Sequence, residues 1–130
     1  MIGLVIAAHA GVARELLKAA EMIVGPLENS VAVEISPKDV ADEIRSSFLE
    51  AINSVGSDKI IIMTDMFGGT PSNMSLSFLE ENRIEVLTGV NLPMIIKFSS
   101  EREREDLTVL AREIMEAGRD GVAVAADYLR

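Results

Sequence analysis

A chain of 130 residues with 48% hydrophobic residues can bury one sound core, which suits a single domain spanning residues 1–130. Twelve Lys and Arg against 21 Asp and Glu leave a net charge of −9, which excludes the basic footprint needed for nucleic acid or an acidic membrane surface. With no cysteine there is neither a disulfide framework nor a thiolate metal site, and the opening "MIGLVIAA" is too short for a signal peptide or a membrane span, so a cytoplasmic protein not inserted in a membrane is expected.

The first apolar run, Ile2 to Ala8, does not alternate with polar residues, and it reads as a strand covered on both faces. It leads directly into His9, the one histidine of the chain. Val12, Leu16, Ala19 and Ile23 then recur at helical spacing and predict a helix that stops near Gly25 and Pro26. A second strand runs from Val31 to Ile35. In "SPKD", Ser36 is placed to cap a helix with Pro37 at its first position and Asp39 in its first turn, and Val40, Ile44, Phe48 and Ile52 continue it at a spacing of four.

Lys59 to Thr64 is a third strand, again continuous and so central. The following "TPSNMSLSFLEEN" mixes alternation with helical features, and its length and Thr-Pro start favour a helix. A fourth strand, Ile84 to Thr88, precedes a helix expected to begin at Pro93. "EREREDL" reads as a solvated helix face leading into a stripe of Leu107, Leu110, Ile114 and Met115 that stops at Gly118. "GVAVAAD" is expected to be a short final strand. Strand and helix alternate, which selects an α/β fold: an open, mostly parallel sheet with helices on both faces in three layers.

In such sheets ligands bind beyond the carboxyl ends of the strands, where the strand order reverses. His9 follows the first strand and "TDMFGGTPSN" follows the third, so Asp65 and the Gly68-Gly69 turn share an edge with His9 if those strands are neighbours. The glycines permit positive φ and close backbone approach, and Thr70 and Pro71 open a helix that leaves the amides of Ser72 and Asn73 free for an anion. No lysine follows the glycines, so ATP is not implied. A neutral imidazole is nucleophilic near pH 7, and a carboxylate on its other nitrogen fixes the tautomer and stabilises the cation formed by attack on phosphorus. A histidine, an aspartate and a helix start therefore suffice for phosphoryl transfer with no metal and no bound cofactor.

Each residue also has a plainer reading. A lone histidine after an apolar strand is more often structural, Asp65 alone would be a turn residue, and Gly68, Gly69 and Thr70 alone a tight turn and a helix start. The seven methionines, Met63, Met66, Met74 and Met94 among them, read as core filler. Asn91 and Pro93 rank low as candidates for the rim of the site.

"VIAAHAGVARELLKAAEMIVG", "TDMFGGTPSNMS" and "GVNLPM" together resemble the mannose-type IIA domain of the bacterial phosphoenolpyruvate-dependent sugar phosphotransferase system, over essentially the whole chain and in family order. The Asp-x-x-Gly-Gly-Thr/Ser-Pro element is the most specific. The resemblance implies that His9 is phosphorylated at Nε2 by the phosphocarrier protein HPr and passes the group to a IIB domain. It implies that Asp65 holds the ring through Nδ1 and that Thr70 lies by the phosphate. It further implies strand order 2-1-3-4 with an antiparallel C-terminal strand, commonly exchanged in a homodimer, and association with a membrane IIC/IID complex through IIB.

Two departures qualify it. Many relatives have Gly or Ser where this chain has Ala10, and the chain reaches Arg130 with no IIB domain attached. A regulatory module switched by phosphorylation of His9, and the phosphoryl-donor subunit of a dihydroxyacetone kinase, therefore stay open. A phosphatase with Asp65 as nucleophile is weaker, because Phe67 stands where a second acid is usually needed.

Overall fold

The computed structural model describes residues 1–104 and 106–129. Four parallel strands, β1 (Gly3–His9), β2 (Ser30–Ile35), β3 (Ile60–Thr64) and β4 (Ile84–Thr88), form one sheet in the order β2-β1-β3-β4. The β-branched and aliphatic runs are where they were expected, and β1 and β3 are buried along their lengths except at His9, as central strands must be.

Five helices cover the sheet: α1 (Val12–Val24), α2 (Ala41–Val55), α3 (Thr70–Leu76), α4 (Leu92–Glu101) and α5 (Leu107–Asp120). Alternation along the strands sends Leu4, Ile6, Ile61 and Met63 to one face, where Ala13, Phe98, Leu110 and Ile114 of α1, α4 and α5 meet them. Val5, Ala7, Ile60 and Ile62 point the other way, against Ile44, Phe48 and Ile52 of α2 and Met74 of α3. The result is the three-layer α/β arrangement.

Several boundaries differ from expectation. The buried stripe of α1 is Ala13, Leu16, Leu17 and Ala20, one residue out of phase with the predicted one, so Val12 and Ile23 are exposed. Helix α2 starts at Ala41, because "SPKD" closes a turn of its own: the Ser36 amide donates to Asp39 Oδ2 at 2.8 Å and the Asp39 amide to the Ser36 carbonyl at 3.1 Å.

Gly118 does not stop α5 but lies buried inside it, since a Cβ there would stand 2.6 Å from Cγ of Met94 on α4. "EREREDL" is the connection between α4 and α5 rather than a helix face. Arg102 in it is buried and donates through Nε and Nη2 to the Ile2 carbonyl, Asp106 caps α5, and Glu105 lies outside the described residues.

The expected C-terminal strand is absent from the described residues. After Gly121 the chain has no strand, and Ala125–Leu129 forms a 3-10 helix, all of it exposed. A strand exists only when paired with a partner edge, and this segment pairs with neither β2 nor β4.

Candidate functional site

Strands β1 and β3 pair with Ala7 opposite Thr64, so the residues that follow, His9 and Asp65, emerge side by side at the carboxyl edge of the sheet. The chain passes from β1 outward to β2 and then back across to β3, which makes this edge the point where strand order reverses.

The two side chains meet. His9 Nδ1 lies 2.8 Å from Asp65 Oδ2, and the backbone N–H of His9 donates to the same oxygen at 3.0 Å. An ionised carboxylate only accepts, so Nδ1 carries the proton of the neutral ring and Nε2 holds the lone pair. The ring is 47% exposed and Asp65 only 19%, so the imidazole is open to the surface while the carboxylate is held back. Burial of Asp65 opposes its ionisation. The ring N–H, the His9 amide, the charge on the ring and a contact with its own amide together outweigh that, and they hold its pKa below the usual 3.8.

The glycine motif divides its work. Gly68 takes φ +91°, a left-handed conformation that side chains rarely adopt, whereas Gly69 is extended at φ −88° and is needed for another reason. A Cβ on Gly69 would lie 2.9 Å from His9 Cε1 and 3.4 Å from Nε2, so this backbone packs against the Cε1–Nε2 edge of the ring. Thr70, first residue of α3, and Asn73 are exposed and share a groove of about 520 Å³ with Asp39, Asp42 and Arg45 of the α2 side.

Two of the five expected phosphate contacts change character. The Asn73 amide donates to the Gly69 carbonyl at 2.9 Å and is not free, which leaves the exposed Asn73 side chain as its polar group. Ser72 has no exposed surface at all. Asn91 and Pro93 belong to the α4–α5 packing, with Asn91 Oδ1 capping the Met94 amide and Nδ2 donating to the Gly118 carbonyl. Met66 and Phe67, next to Asp65, are 54% and 72% exposed, so Met66 is not core filler.

Sequence reasoning missed two features. Ala10 sits at φ +50°, held by a hydrogen bond that its N–H donates to the Ile35 carbonyl at 2.9 Å. What position 10 asks for is a left-handed backbone, which a residue type such as alanine does not signal in the sequence. The second is the His9 amide, a donor that no side-chain motif records. Among the described residues no group of three or more His, Cys, Asp or Glu is placed to hold a metal ion, and no helix is long and apolar enough to cross a membrane.

The structure is thus an open parallel α/β domain with a carboxylate-held histidine beside a glycine turn at its switch point. The family described as the PTS system fructose IIA component, EIIA-man, matches residues 3–115, and the chain belongs to that family of phosphotransfer components. It is 27% identical to the fructose-specific EIIA component of the PTS system of Bacillus subtilis, over 99% of this chain and 90% of that one. It is 31% identical to the mannose-specific EIIAB component of Escherichia coli over 93% of this chain, which spans only 38% of that longer protein. Among solved structures, the mannose/sorbose specific IIA subunit from Enterococcus faecalis superposes with a TM-score of 0.81 at 26% identity, covering 94% of this chain and 92% of the other.

Proposed function

We propose that the protein is a cytoplasmic phosphoryl carrier: His9 accepts a phosphoryl group from phospho-HPr and passes it to a IIB component that serves sugar uptake, in contact with a membrane IIC/IID complex only through IIB. The observation that carries this reading is the double hydrogen bond of His9 to Asp65 Oδ2, which fixes Nδ1–H and leaves Nε2 as the nucleophile. On loading, the Nε2 lone pair forms a bond to phosphorus as the bond from phosphorus to the donor nitrogen breaks and the electron pair leaves with the donor ring; on unloading, the acceptor bonds phosphorus as the Nε2–P bond breaks and its electron pair returns to His9. The proton stays on Nδ1, which donates it to Asp65 Oδ2 throughout, and the carboxylate balances the charge that the ring gains. Gly68, Gly69, Thr70 and the Asn73 side chain are the groups beside the ring that would receive the phosphoryl oxygens, with no cofactor and no metal.

The Asp65-nucleophile alternative is disfavoured, because Oδ2 already accepts two hydrogen bonds and Oδ1 is enclosed. A homodimer formed by exchange of the C-terminal segment is part of the same proposal. Its support is the exposed apolar surface of Val122, Val124, Tyr128 and Leu129 together with β4, which ends the sheet.

The test is labelling with isotopic phosphoenolpyruvate in the presence of the general phosphotransferase enzyme and HPr. One acid-labile, base-stable phosphate is expected on the native chain and none on His9→Ala. A native chain that stays unlabelled, or a variant that labels equally, rejects the carrier.

A further inference from the structure

Among the described residues, three that are not glycine hold a left-handed backbone: Ala10 at φ +50°, Asn29 at φ +52° and Asn82 at φ +62°. Asparagine tolerates that region, because its short amide side chain can bond to the local backbone, and both asparagines stand just ahead of strands, β2 and β4, at the amino edge of the sheet. Alanine has no such relief, since at positive φ its Cβ crowds a neighbouring carbonyl oxygen. The residue whose type least suits its backbone therefore directly follows His9, at the opposite edge.

The strain is imposed from both sides. Upstream, Asp65 Oδ2 accepts from the His9 N–H at 3.0 Å and from Nδ1 at 2.8 Å, so the last residue of β1 is gripped at backbone and ring. The peptide between His9 and Ala10 is fixed next, its N–H donating to the Ile35 carbonyl at 2.9 Å. Downstream, the Glu15 N–H donates to the Gly11 carbonyl at 3.1 Å as α1 begins, and Ala13 is already fully buried. Strand and helix are separated by Ala10 and Gly11 alone, and Gly11 keeps a negative φ of −91°. The left-handed turn of the chain falls on Ala10. A sparsely populated backbone persists only where its surroundings over-determine it, and of these anchors Asp65 is the one side chain.

We propose that Ala10 is a positioning residue for His9, and that its left-handed corner and the Asp65 carboxylate act as a coupled pair. The grip of Oδ2 on the His9 N–H holds the corner in place, and the corner in turn sets the imidazole on Oδ2. A residue that resists the left-handed region draws His9 off the carboxylate, and one that accepts the region leaves it there. Loss of the carboxylate lets the corner relax, which recovers part of the strain. The consequence for transfer rests on the carrier reading above, whereas the consequences for the ring and for stability do not.

Position 10 is exposed, so a larger side chain there meets solvent. Valine and asparagine are of similar size, but positive φ is a genuine outlier for the β-branched residue and accessible to the other. His9 is the one histidine, so ¹⁵N labelling of histidine reads its ring without interference. Ala10→Asn and Ala10→Gly are expected to keep the native share of the Nδ1–H tautomer and the native rate of phosphorylation. Ala10→Val is expected to lower that share and to slow phosphorylation about 3- to 10-fold, the factor that one hydrogen bond represents. In urea, Asp65→Ala is expected to cost more in the Ala10→Gly background than in the native one, by about 3- to 10-fold in the folding equilibrium constant, because only alanine regains strain when the grip is lost. The extra freedom of glycine in the unfolded chain is common to both arms of this cycle and cancels.

The proposal is overturned if Ala10→Val keeps the native tautomer share, if Ala10→Asn loses it to the same extent, or if Asp65→Ala costs the same in both backgrounds. Should Ala10→Val fail to fold, the urea cycle decides the matter. If the native chain accepts no phosphate, the carrier reading falls while the ring signal and the cycle still judge the corner.

Discussion

At the scale of single residues, the site depends on what touches the imidazole. Gly69 is a clean probe because its backbone, φ −88°, accepts alanine without strain, so the effect of a methyl group arises from its contact with the ring alone. With Cβ 2.9 Å from Cε1, the ring of Gly69→Ala must turn away from the Nδ1–Oδ2 line, and phosphorylation should slow by about 10-fold or more while the fold is retained. Initial labelling rates beside circular dichroism melts check this.

Asp65→Asn removes the charge that balances the ring, and the same labelling assay should lose about 100-fold or more. Asp65 also carries a pH signature. Its pKa in the fold lies below the 3.8 of the unfolded chain, so between the two values the unfolded state binds more protons. The stabilisation is therefore complete above about pH 4, where both states are ionised, and is lost as pH falls through the depressed folded value. Urea midpoints of native and Asp65→Asn protein should converge on acidification, and a constant difference across that range would refute the assignment.

At the scale of elements, burial and stereochemistry decide what a sequence reveals. β1 and β3 were legible because a run such as Ile60 to Met63 has no polar residue to place on a solvent face, and their pairing made the His9–Asp65 encounter legible too. Helix phase was harder. The stripe of α1 is set by Ala13 and Ala20, small residues whose value lies in close approach to the sheet, and the larger Val12 and Ile23 drew the reading away from them. The start of α2 was hidden by Asp39, whose carboxylate folds back on Ser36 instead of supporting a helix. Burial of Ser72 was not legible at all, since nothing local distinguishes a serine facing phosphate from one facing the sheet.

Gly118 was misread for a related reason: glycine stops helices, but it also admits close helix crossings. In α5 it lies under Met94, and its carbonyl accepts from Asn91 Nδ2 at 2.9 Å. Gly118→Ala gains up to about 1 kcal/mol of helix propensity and loses about 1–3 kcal/mol to overpacking, so net destabilisation is expected. A raised urea midpoint would show that Met94 moves aside freely.

At the scale of the whole molecule, the sheet has its reactive edge at one end and two open sides, β2 and β4. Net charge of −9 keeps such a chain soluble and works against indiscriminate pairing of those sides. The C-terminal segment is the exception to that polarity, with Val122, Val124, Tyr128 and Leu129 all more than two-thirds exposed. As a strand on β4 of a second copy, alternate residues of this segment would be covered and the open edge closed, which its own β4 does not offer it here. Because every residue of 122–129 is exposed, removing the chain from residue 122 onward deletes no buried side chain among the described residues. The truncated chain is therefore expected to keep its melting temperature at low concentration and its labelling of His9, yet to sediment as a monomer where the full chain sediments as a dimer. A full chain that is monomeric at every concentration, or a truncated one that still dimerises, would remove exchange of this segment from the proposal and leave the histidine chemistry untouched.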